Sequence, residues 1–116
     1  MIKTADELIR EAQQHIRCVD AVTAKQLFDD TDNAVVIDVR EADSAAKSKL
    51  DVSVNISRGL LEMKLPKLYE DPEQLILVHC GGGGRASLSA QSLQQMGYKN
   101  VHAITAPYDD LKQIFG

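Results

Sequence analysis

Nearly continuous runs of β-branched and aliphatic residues alternate along the chain with stretches of mixed polarity. Four runs are clear: AVVIDV (34–39), VSVNI (52–56), LILVH (75–79) and NVHAI (100–104). Nearly continuous apolar runs of this kind are typical of strands that are buried on both faces of a parallel sheet. A weaker run, IRCV at 16–19, would bring the number of strands to five.

Helix-forming stretches separate most of these runs. In the first stretch Thr4 and Glu7 have the spacing of a capping box, and Thr23 with Gln26 repeats that start signal before the second. Gly97 follows the fourth stretch and suits a helix C-cap. The predicted helices are TADELIREAQQHI, VTAKQLFDD, READSAAKSK, RASLSAQSLQQMG and YDDLKQIF. Alternating strands and helices predict an α/β fold with a central, mostly parallel sheet of about five strands.

The length of 116 residues predicts a single domain over residues 1–116, with the N-terminal helix (1–16) packed on it. No apolar stretch approaches the roughly 18 residues of a membrane span. The first residues also lack the basic start and apolar block of a signal peptide. We therefore expect a cytoplasmic protein with no membrane partner.

The formal net charge is −4, and no long basic run interrupts the sequence. This charge argues against nucleic acid as the main partner, so an anionic substrate would need a local positive site. The two cysteines, Cys18 and Cys80, do not have the spacing of metal ligands, and we expect no metal site. A reducing compartment also disfavours a disulfide between them.

The segment VHCGGGGRAS (78–87) contains the candidate chemistry. Cys80 ends a predicted buried strand, and Arg85 opens the helix that follows, with four residues between them: Gly81, Gly82, Gly83 and Gly84. Open α/β sheets bind ligands at the carboxyl ends of their strands. The helix N-terminus supplies unpaired N–H groups and a partial positive charge, and glycines let N–H groups turn inward around an anion. These surroundings predict a nucleophilic Cys80. The alternative without a catalytic role is a flexible turn beside a structural cysteine.

The number of residues between Cys80 and Arg85 bears on the reaction. Phosphatases of the His-Cys-x5-Arg type wrap a phosphate with five intervening residues, whereas this chain has four. The smaller ring fits a tetrahedral phosphate poorly and favours a single sulfur atom on Cys80. A phosphatase or arsenate reductase is therefore the least favoured alternative.

The segments VIDVREAD, VNISRGLLE and ILVHCGGGGRASLSAQSLQQMGYKNV resemble a single-domain rhodanese, a thiosulfate sulfurtransferase. The resemblance covers residues 18–115, and Cys80, Gly83 and Arg85 match the family pattern Cys-x-x-Gly-x-Arg. It implies a rhodanese-like three-layer α/β/α fold. It also implies transfer of a sulfane sulfur from thiosulfate or a persulfide to cyanide or a thiol through a Cys80 persulfide, with no metal or organic cofactor. Arg85 would hold the oxygen atoms of the donor.

Several neighbouring residues have weaker assignments. Alternation along the strand should turn His79 away from Cys80, into a packing or hydrogen-bonding role. Ser87 would cap the helix or, less favoured, bond the thiolate. The resemblance makes Asp38 and Arg40 chiefly a structural charge network near the site. Cys18 could resolve the persulfide, but a partly buried cysteine without a role is favoured.

The chain departs from the family pattern in its flanking loops. The segment SKLDVS (48–53) replaces the usual Gly-His-Ile-Pro-Gly-Ala, and Tyr108 and Leu111 stand where the family has other residues. The loop between Cys80 and Arg85 also lacks the basic or polar side chains of many relatives. We therefore expect slow or weakly selective use of thiosulfate, with a protein persulfide or polysulfide as the natural donor. The alternative function is a non-catalytic rhodanese-like binding or sulfur-carrier module.

Overall fold

Five parallel strands form the central sheet of the computed structural model, which describes residues 1–116. The strands are β1 (Arg17–Val19), β2 (Val35–Asp38), β3 (Ser53–Asn55), β4 (Ile76–His79) and β5 (Val101–Ile104). The helices are α1 (Ala5–Gln13), α2 (Ala21–Asp30), α3 (Ala42–Lys47), α4 (Leu61–Leu68), α5 (Gly84–Met96) and α6 (Tyr108–Phe115), with a 3-10 helix at Arg58–Leu60. No helix combines the length and the apolar content needed to cross a membrane.

The order of strands across the sheet is β1-β5-β4-β2-β3, and every neighbouring pair is parallel. The weak run at 16–19 is confirmed as the edge strand β1, which pairs with β5. After β2 the chain moves outward to β3, and after β4 it moves the other way to β5. The carboxyl ends of β2 and β4 therefore lie at a topological switch point, where open α/β sheets place their ligand crevice.

Helices cover both faces of the sheet, which confirms the predicted three-layer α/β/α arrangement. On one face, Leu61 and Leu65 of α4 and Ala86, Ala90 and Leu93 of α5 pack on the sheet, and α1 packs on α5. On the other face, α2 and α6 enclose the second hydrophobic cluster with the inner side chains of the strands. Burial of these apolar surfaces is the main contribution to the stability of such a layered fold.

Local signals in the sequence account for most of the helix ends. Thr4 and Glu7 form the predicted capping box at α1, and Gly97, with φ +111°, ends α5 as predicted. The start of α2 differs from the prediction, because Asp20 is the N-cap and its carboxylate accepts a hydrogen bond from the backbone N–H of Thr23. Asp is at least as good an N-cap as Thr, so the helix begins earlier, at Ala21, which is buried in the core with Ala24.

Candidate active site

Cys80 is the first residue after β4 and stands at the switch point between β4 and β2. The backbone N–H of Val39, just past β2, donates to the carbonyl of His79 at 3.0 Å, so the two strand ends are held together. Beyond this point the chain turns through residues 81–83 and enters α5 at Gly84. The buried central strand thus fixes the cysteine backbone, and the helix N-terminus faces its side chain.

Two backbone N–H groups donate to the sulfur of Cys80. The donor–sulfur distances are 3.1 Å for Gly83 and 3.4 Å for Ala86, and the cysteine is only 2% exposed. Both donors belong to the turn that opens α5, where unpaired N–H groups carry the partial positive charge of the helix. We call this arrangement of Gly83 and Ala86 N–H around the sulfur the sulfur cradle; it suits an anionic sulfur.

The four glycines of the loop have different structural roles. Gly83 has φ +101°, and a Cβ atom there would lie 2.9 Å from the Cα of Thr105, so no larger residue fits. A Cβ at Gly84 would meet the end of the Ile9 side chain at 2.8 Å. Gly81 and Gly82 have negative φ; a Cβ at Gly82 would meet nothing within 4 Å, and one at Gly81 only the Arg85 Nη2 at an ordinary 3.7 Å, so neither backbone nor packing requires glycine there.

The rim of the loop offers unused hydrogen-bond donors. The backbone N–H groups of Gly81, Gly82, Gly84 and Arg85 donate no hydrogen bond within the chain. The Arg85 side chain is exposed and forms no ion pair, and its Nη2 lies 3.7 Å from where a Gly81 Cβ would be. This free guanidinium over the loop gives the local positive site that an anionic ligand would need in a protein of net charge −4.

Ser87 has neither of the two roles considered from the sequence. Gly83 occupies the N-cap position of α5 without a side-chain cap, and no hydrogen bond joins Ser87 to the sulfur. Instead the Ser87 hydroxyl donates to the carbonyl of Gly83 at 2.7 Å and accepts from Nε2 of Gln13 at 3.1 Å. Ser87 lies inside the first turn of α5, so its side chain reaches back to the preceding turn rather than forward to free N–H groups.

Asp38 and Arg40 form a buried ion pair at the end of β2. Arg40 donates to the carboxylate from Nε at 3.0 Å, from Nη2 at 2.8 Å and from its backbone N–H at 3.0 Å. Burial alone would raise the pKa of Asp38, but the hydrogen bonds from Arg40 outweigh it and lower that pKa. A second Arg40 contact, from Nη2 to the Ser48 carbonyl at 2.7 Å, ties β2 to the segment after α3.

Tyr108 connects this ion pair to the cysteine loop. Its ring lies 4.1 Å from the guanidinium carbon of Arg40, a cation–π contact, and stacks on His79 with a centroid distance of 6.1 Å. Its backbone N–H donates to the carbonyl of Gly81 at 3.0 Å. The N-terminus of α6 therefore supports the cysteine loop from the face opposite α5.

His79 has the packing role that strand alternation predicts. Its ring is fully buried, and its Nδ1 lies 3.5 Å from the carbonyl oxygen of Cys80, not near the sulfur. Burial lowers the pKa of His79, with the nearby Asp38 charge opposing the shift, and the lowered pKa favours the neutral imidazole. His79 is therefore not placed to act as a base for Cys80.

Cys18 is exposed on the edge strand β1, not partly buried as expected. The register pairs Cys18 with Ala103 of β5, and Ala103 with Val78 of β4. Two strand spacings separate β1 from β4, which is about 10 Å. Because a disulfide needs Cα atoms within about 7 Å, Cys18 is not placed to resolve a persulfide on Cys80.

The largest cavity of the protein is remote from the cysteine loop. It measures about 360 Å³ and lies beside α4 and the end of α5, with Pro66, Met96 and Tyr98 among its lining residues. Neither it nor the two other cavities includes a residue of the 80–85 loop. No group of three His, Cys, Asp or Glu side chains is arranged to hold a metal ion. The site is therefore a small backbone cradle at the surface, and a ligand would approach it past the loop.

Three contributors to the site were not found from the sequence: the Gln13 side chain, the backbone of Thr105 and the backbone N–H of Tyr108. All three come from segments distant in sequence from Cys80. Of the three, only Thr105 could have been found from the sequence. It follows β5, the neighbour of β4, and therefore lies at the same edge of the sheet as Cys80.

Comparison with known proteins agrees with this architecture. The chain is 30% identical over 77 residues to a Bacillus subtilis protein named "Putative sulfur carrier protein YrkF". That match covers 66% of this chain but only 40% of YrkF. The chain thus spans less than half the length of this relative.

Two solved structures share the fold. A Rhodopseudomonas palustris protein of unknown function, RPA3614, described as a possible tyrosine phosphatase, has a TM-score of 0.85 and 24% identity. The match covers 100% of this chain and 94% of that one. The homodimeric polysulfide-sulfur transferase of Wolinella succinogenes has a TM-score of 0.76 and 24% identity, covering 92% of this chain and 80% of that one. At this identity both likenesses concern the fold.

The family assignment comes from the sequence as a whole. The model of the rhodanese-like domain matches residues 20–113, from the N-cap of α2 to within α6. This match includes the strand, the cysteine loop and the helix that carry the resemblance noted above. The chain therefore belongs to the rhodanese-like domain family.

Proposed function

We propose that this protein is a sulfurtransferase that carries a sulfane sulfur as a persulfide on Cys80. The observation that carries the proposal is the sulfur cradle, in which the buried Cys80 sulfur accepts hydrogen bonds from the backbone N–H groups of Gly83 and Ala86. Such donors stabilise a thiolate, and the unpaired N–H groups of Gly81 and Gly82 are available to the outer, anionic sulfur of a persulfide. The chain belongs to the rhodanese-like domain family, and the Wolinella succinogenes protein that shares its fold is named a polysulfide-sulfur transferase, which supports the same chemistry.

In the first step the Cys80 thiolate attacks the outer sulfur of a donor such as thiosulfate. A sulfur–sulfur bond forms to Cys80, the sulfur–sulfur bond of thiosulfate breaks, and sulfite leaves with the electron pair. The positive end of α5 and the unpaired N–H groups of Gly81 and Gly82 favour the anions at each stage. No proton needs to be moved in this step, which is consistent with a neutral His79 that lies away from the sulfur.

In the second step an acceptor takes the outer sulfur. Cyanide or an acceptor thiolate attacks that atom, and the sulfur–sulfur bond to Cys80 breaks. Thiocyanate or a new persulfide leaves, and the Cys80 thiolate is restored. None of the three cavities reaches the loop and Cys80 is only 2% exposed, so both donor and acceptor would have to approach the sulfur past the loop. A partner protein could therefore serve as either one.

Arg85 would bind the oxygen atoms of an oxyanion donor. Its guanidinium is exposed, unpaired and folded over Gly81, and its planar fork suits a sulfonate. It is the only side chain between residues 80 and 86 with a charge. Recognition of thiosulfate would therefore depend on this residue and on backbone N–H groups.

The loop favours a persulfide or polysulfide as the natural donor. Gly81 and Gly82 could carry side chains without strain, yet they have none, so between Cys80 and Arg85 no side chain is available to contact a donor. Such a site admits the end of a bulky donor, including a protein persulfide, and binds small thiosulfate weakly. We accordingly propose slow or weakly selective turnover of thiosulfate.

Persulfide formation tests this proposal. The reduced protein is incubated with thiosulfate or inorganic polysulfide, and its intact mass is measured before and after treatment with cyanide. We expect a gain of one sulfur atom that cyanide removes, and no such gain in Cys80→Ser. Cys18→Ser is the matched control, because that exposed thiol should contribute nothing to the gain.

The second candidate is a non-catalytic sulfur-carrier or binding module. The observation in its favour is the loop of four glycines without side chains, together with the name of the partly matched relative YrkF. A carrier would accept a sulfur on Cys80 but show no steady-state turnover. Thiocyanate formation well above that of Cys80→Ala would exclude this candidate.

A phosphatase or arsenate-reductase activity is disfavoured by the loop itself. Only Gly83 and Ala86 approach the sulfur, and four residues separate Cys80 from Arg85. We expect no hydrolysis of p-nitrophenyl phosphate above that of Cys80→Ser, and measurable Cys80-dependent hydrolysis would overturn the sulfur assignment.

A further inference from the structure

Helix α1 touches the turn that forms the sulfur cradle, although it lies outside the region matched by the family model. The model begins at residue 20, whereas α1 spans Ala5–Gln13. Two side chains of α1 reach this turn. The Ile9 side chain occupies the space beside Gly84, where a Cβ would lie 2.8 Å from its Cδ1, and Nε2 of Gln13 donates to the Ser87 hydroxyl at 3.1 Å.

The Gln13 contact begins a continuous series of hydrogen bonds that ends at the cysteine. Gln13 donates to Ser87 Oγ, Ser87 Oγ donates to the Gly83 carbonyl at 2.7 Å, and the Gly83 N–H donates to the Cys80 sulfur at 3.1 Å. The Ser87 hydroxyl sets the donor-to-acceptor direction of these hydrogen bonds, since it has only one proton to donate. Because that proton is used on Gly83, the hydroxyl must accept from the Gln13 amide.

These hydrogen bonds act on the backbone of Gly83, whose N–H is one of the two donors to the Cys80 sulfur. Gly83 has φ +101°, a conformation that its own backbone does not strongly prefer over others. Its carbonyl accepts from both the backbone N–H (2.9 Å) and the hydroxyl of Ser87, which fixes the orientation of the peptide after Gly83. A donor on Ser87 Oγ polarises the hydroxyl and holds its rotamer, so it strengthens the bond to Gly83.

We propose that Gln13 is a positioning residue for the sulfur cradle, acting through Ser87 and Gly83 on Cys80. Its side chain bonds to Ser87 and makes no hydrogen bond to the sulfur. Its effect on sulfur transfer rests on the proposed function, but its effect on the Cys80 thiol does not. α1 thereby becomes part of the functional unit and not only a packed N-terminal helix.

The rate of Cys80 alkylation by iodoacetamide, measured across pH, tests the proposal without requiring sulfur transfer. The experiments use the Cys18→Ser background, so that one thiol reacts. We expect Gln13→Ala to lower the rate at pH 7 about fivefold and to move the rate profile to higher pH, as the loss of one hydrogen bond implies. Gln14→Ala is the matched control, because the neighbouring Gln14 side chain makes no hydrogen bond.

Gln13→Glu provides a second and stronger perturbation in the same direction. A carboxylate cannot donate to Ser87 and instead attracts its single hydroxyl proton away from Gly83. We expect a larger loss than in Gln13→Ala, about tenfold, since two bonds of the series are lost. In a Ser87→Ala background neither Gln13 variant should change the rate further.

Each outcome decides the proposal. Equal alkylation profiles for Gln13→Ala and Gln14→Ala overturn it, as does a full Gln13 effect that persists in the Ser87→Ala background. Should Gln13→Ala fail to fold, the nearly isosteric Gln13→Glu answers the same question. A normal Gln13 effect on alkylation in a protein that forms no persulfide supports the positioning role while refuting the sulfurtransferase function.

Discussion

Replacing Gly83 by alanine perturbs the one loop position where glycine is required. The residue has φ +101°, and an added Cβ would lie 2.9 Å from the Thr105 Cα and 3.2 Å from its carbonyl oxygen. Both neighbours are backbone atoms at the end of β5, so they cannot move aside as a side chain could. The N–H of Gly83 also donates to the Cys80 sulfur, so any shift of this residue opens the sulfur cradle.

The loss of folding stability expected in Gly83→Ala has two parts. A non-glycine residue in left-handed backbone conformation costs about 1–2 kcal/mol. Forcing an extra methyl group into a closely packed position adds about 1–3 kcal/mol. Gly83→Ala should therefore lower the free energy of unfolding by about 2–5 kcal/mol, or relax by displacing the loop and losing the bond to the sulfur.

Gly82→Ala is the matched control, because its φ is negative and no atom lies within 4 Å of the added methyl group. It should be neutral or slightly stabilising, since alanine restricts the unfolded chain. Urea unfolding and the alkylation rate of Cys80 are measured for both variants. If Gly83→Ala matched Gly82→Ala in both measurements, the assigned geometry of the cradle would be wrong.

Further predictions concern charge. Asp38→Asn leaves the buried Arg40 guanidinium without a counter-charge and should cost about 3 kcal/mol in urea unfolding; Asp29→Asn, at an exposed ion pair, should cost less than about 1 kcal/mol. Because burial lowers the pKa of His79, the unfolded chain binds its proton more readily. Stability should therefore fall as pH drops below about 6.5, less steeply in His79→Gln, and an unchanged slope would contradict the assignment. Arg85→Ala should raise the KM for thiosulfate about tenfold, with Arg85→Lys intermediate; equal KM values would remove Arg85 from donor binding.

The layered fold and the place of the cysteine could be predicted because they depend on local patterns. The apolar run LILVH, the glycines after it and the helix beginning near Arg85 already place Cys80 at a strand end facing a helix N-terminus. Even the short edge strand β1 was recognisable from IRCV, and the structure pairs it with β5. Regular periodicity and strand–helix order carry this information along the chain itself.

The roles of individual loop residues depend on contacts that the sequence does not reveal. The four consecutive glycines look equivalent, yet only Gly83 is required, by the backbone of Thr105. Ser87 was expected to cap α5, and its partner Gln13 lies 74 residues away. These roles depend on distances in the folded chain. For Ser87 the capping rule failed because its hydroxyl donates to the carbonyl of Gly83 instead of accepting from a free N–H group.

Single-turnover sulfur transfer tests the central claim most directly. The protein is loaded with one sulfur atom from polysulfide, freed of donor, and mixed with cyanide while protein mass and thiocyanate are followed together. The account predicts one thiocyanate per loaded protein, formed as the added sulfur disappears from Cys80, and none from Cys80→Ser. Loading that does not depend on Cys80, or a Cys80 persulfide that yields no thiocyanate, would contradict it.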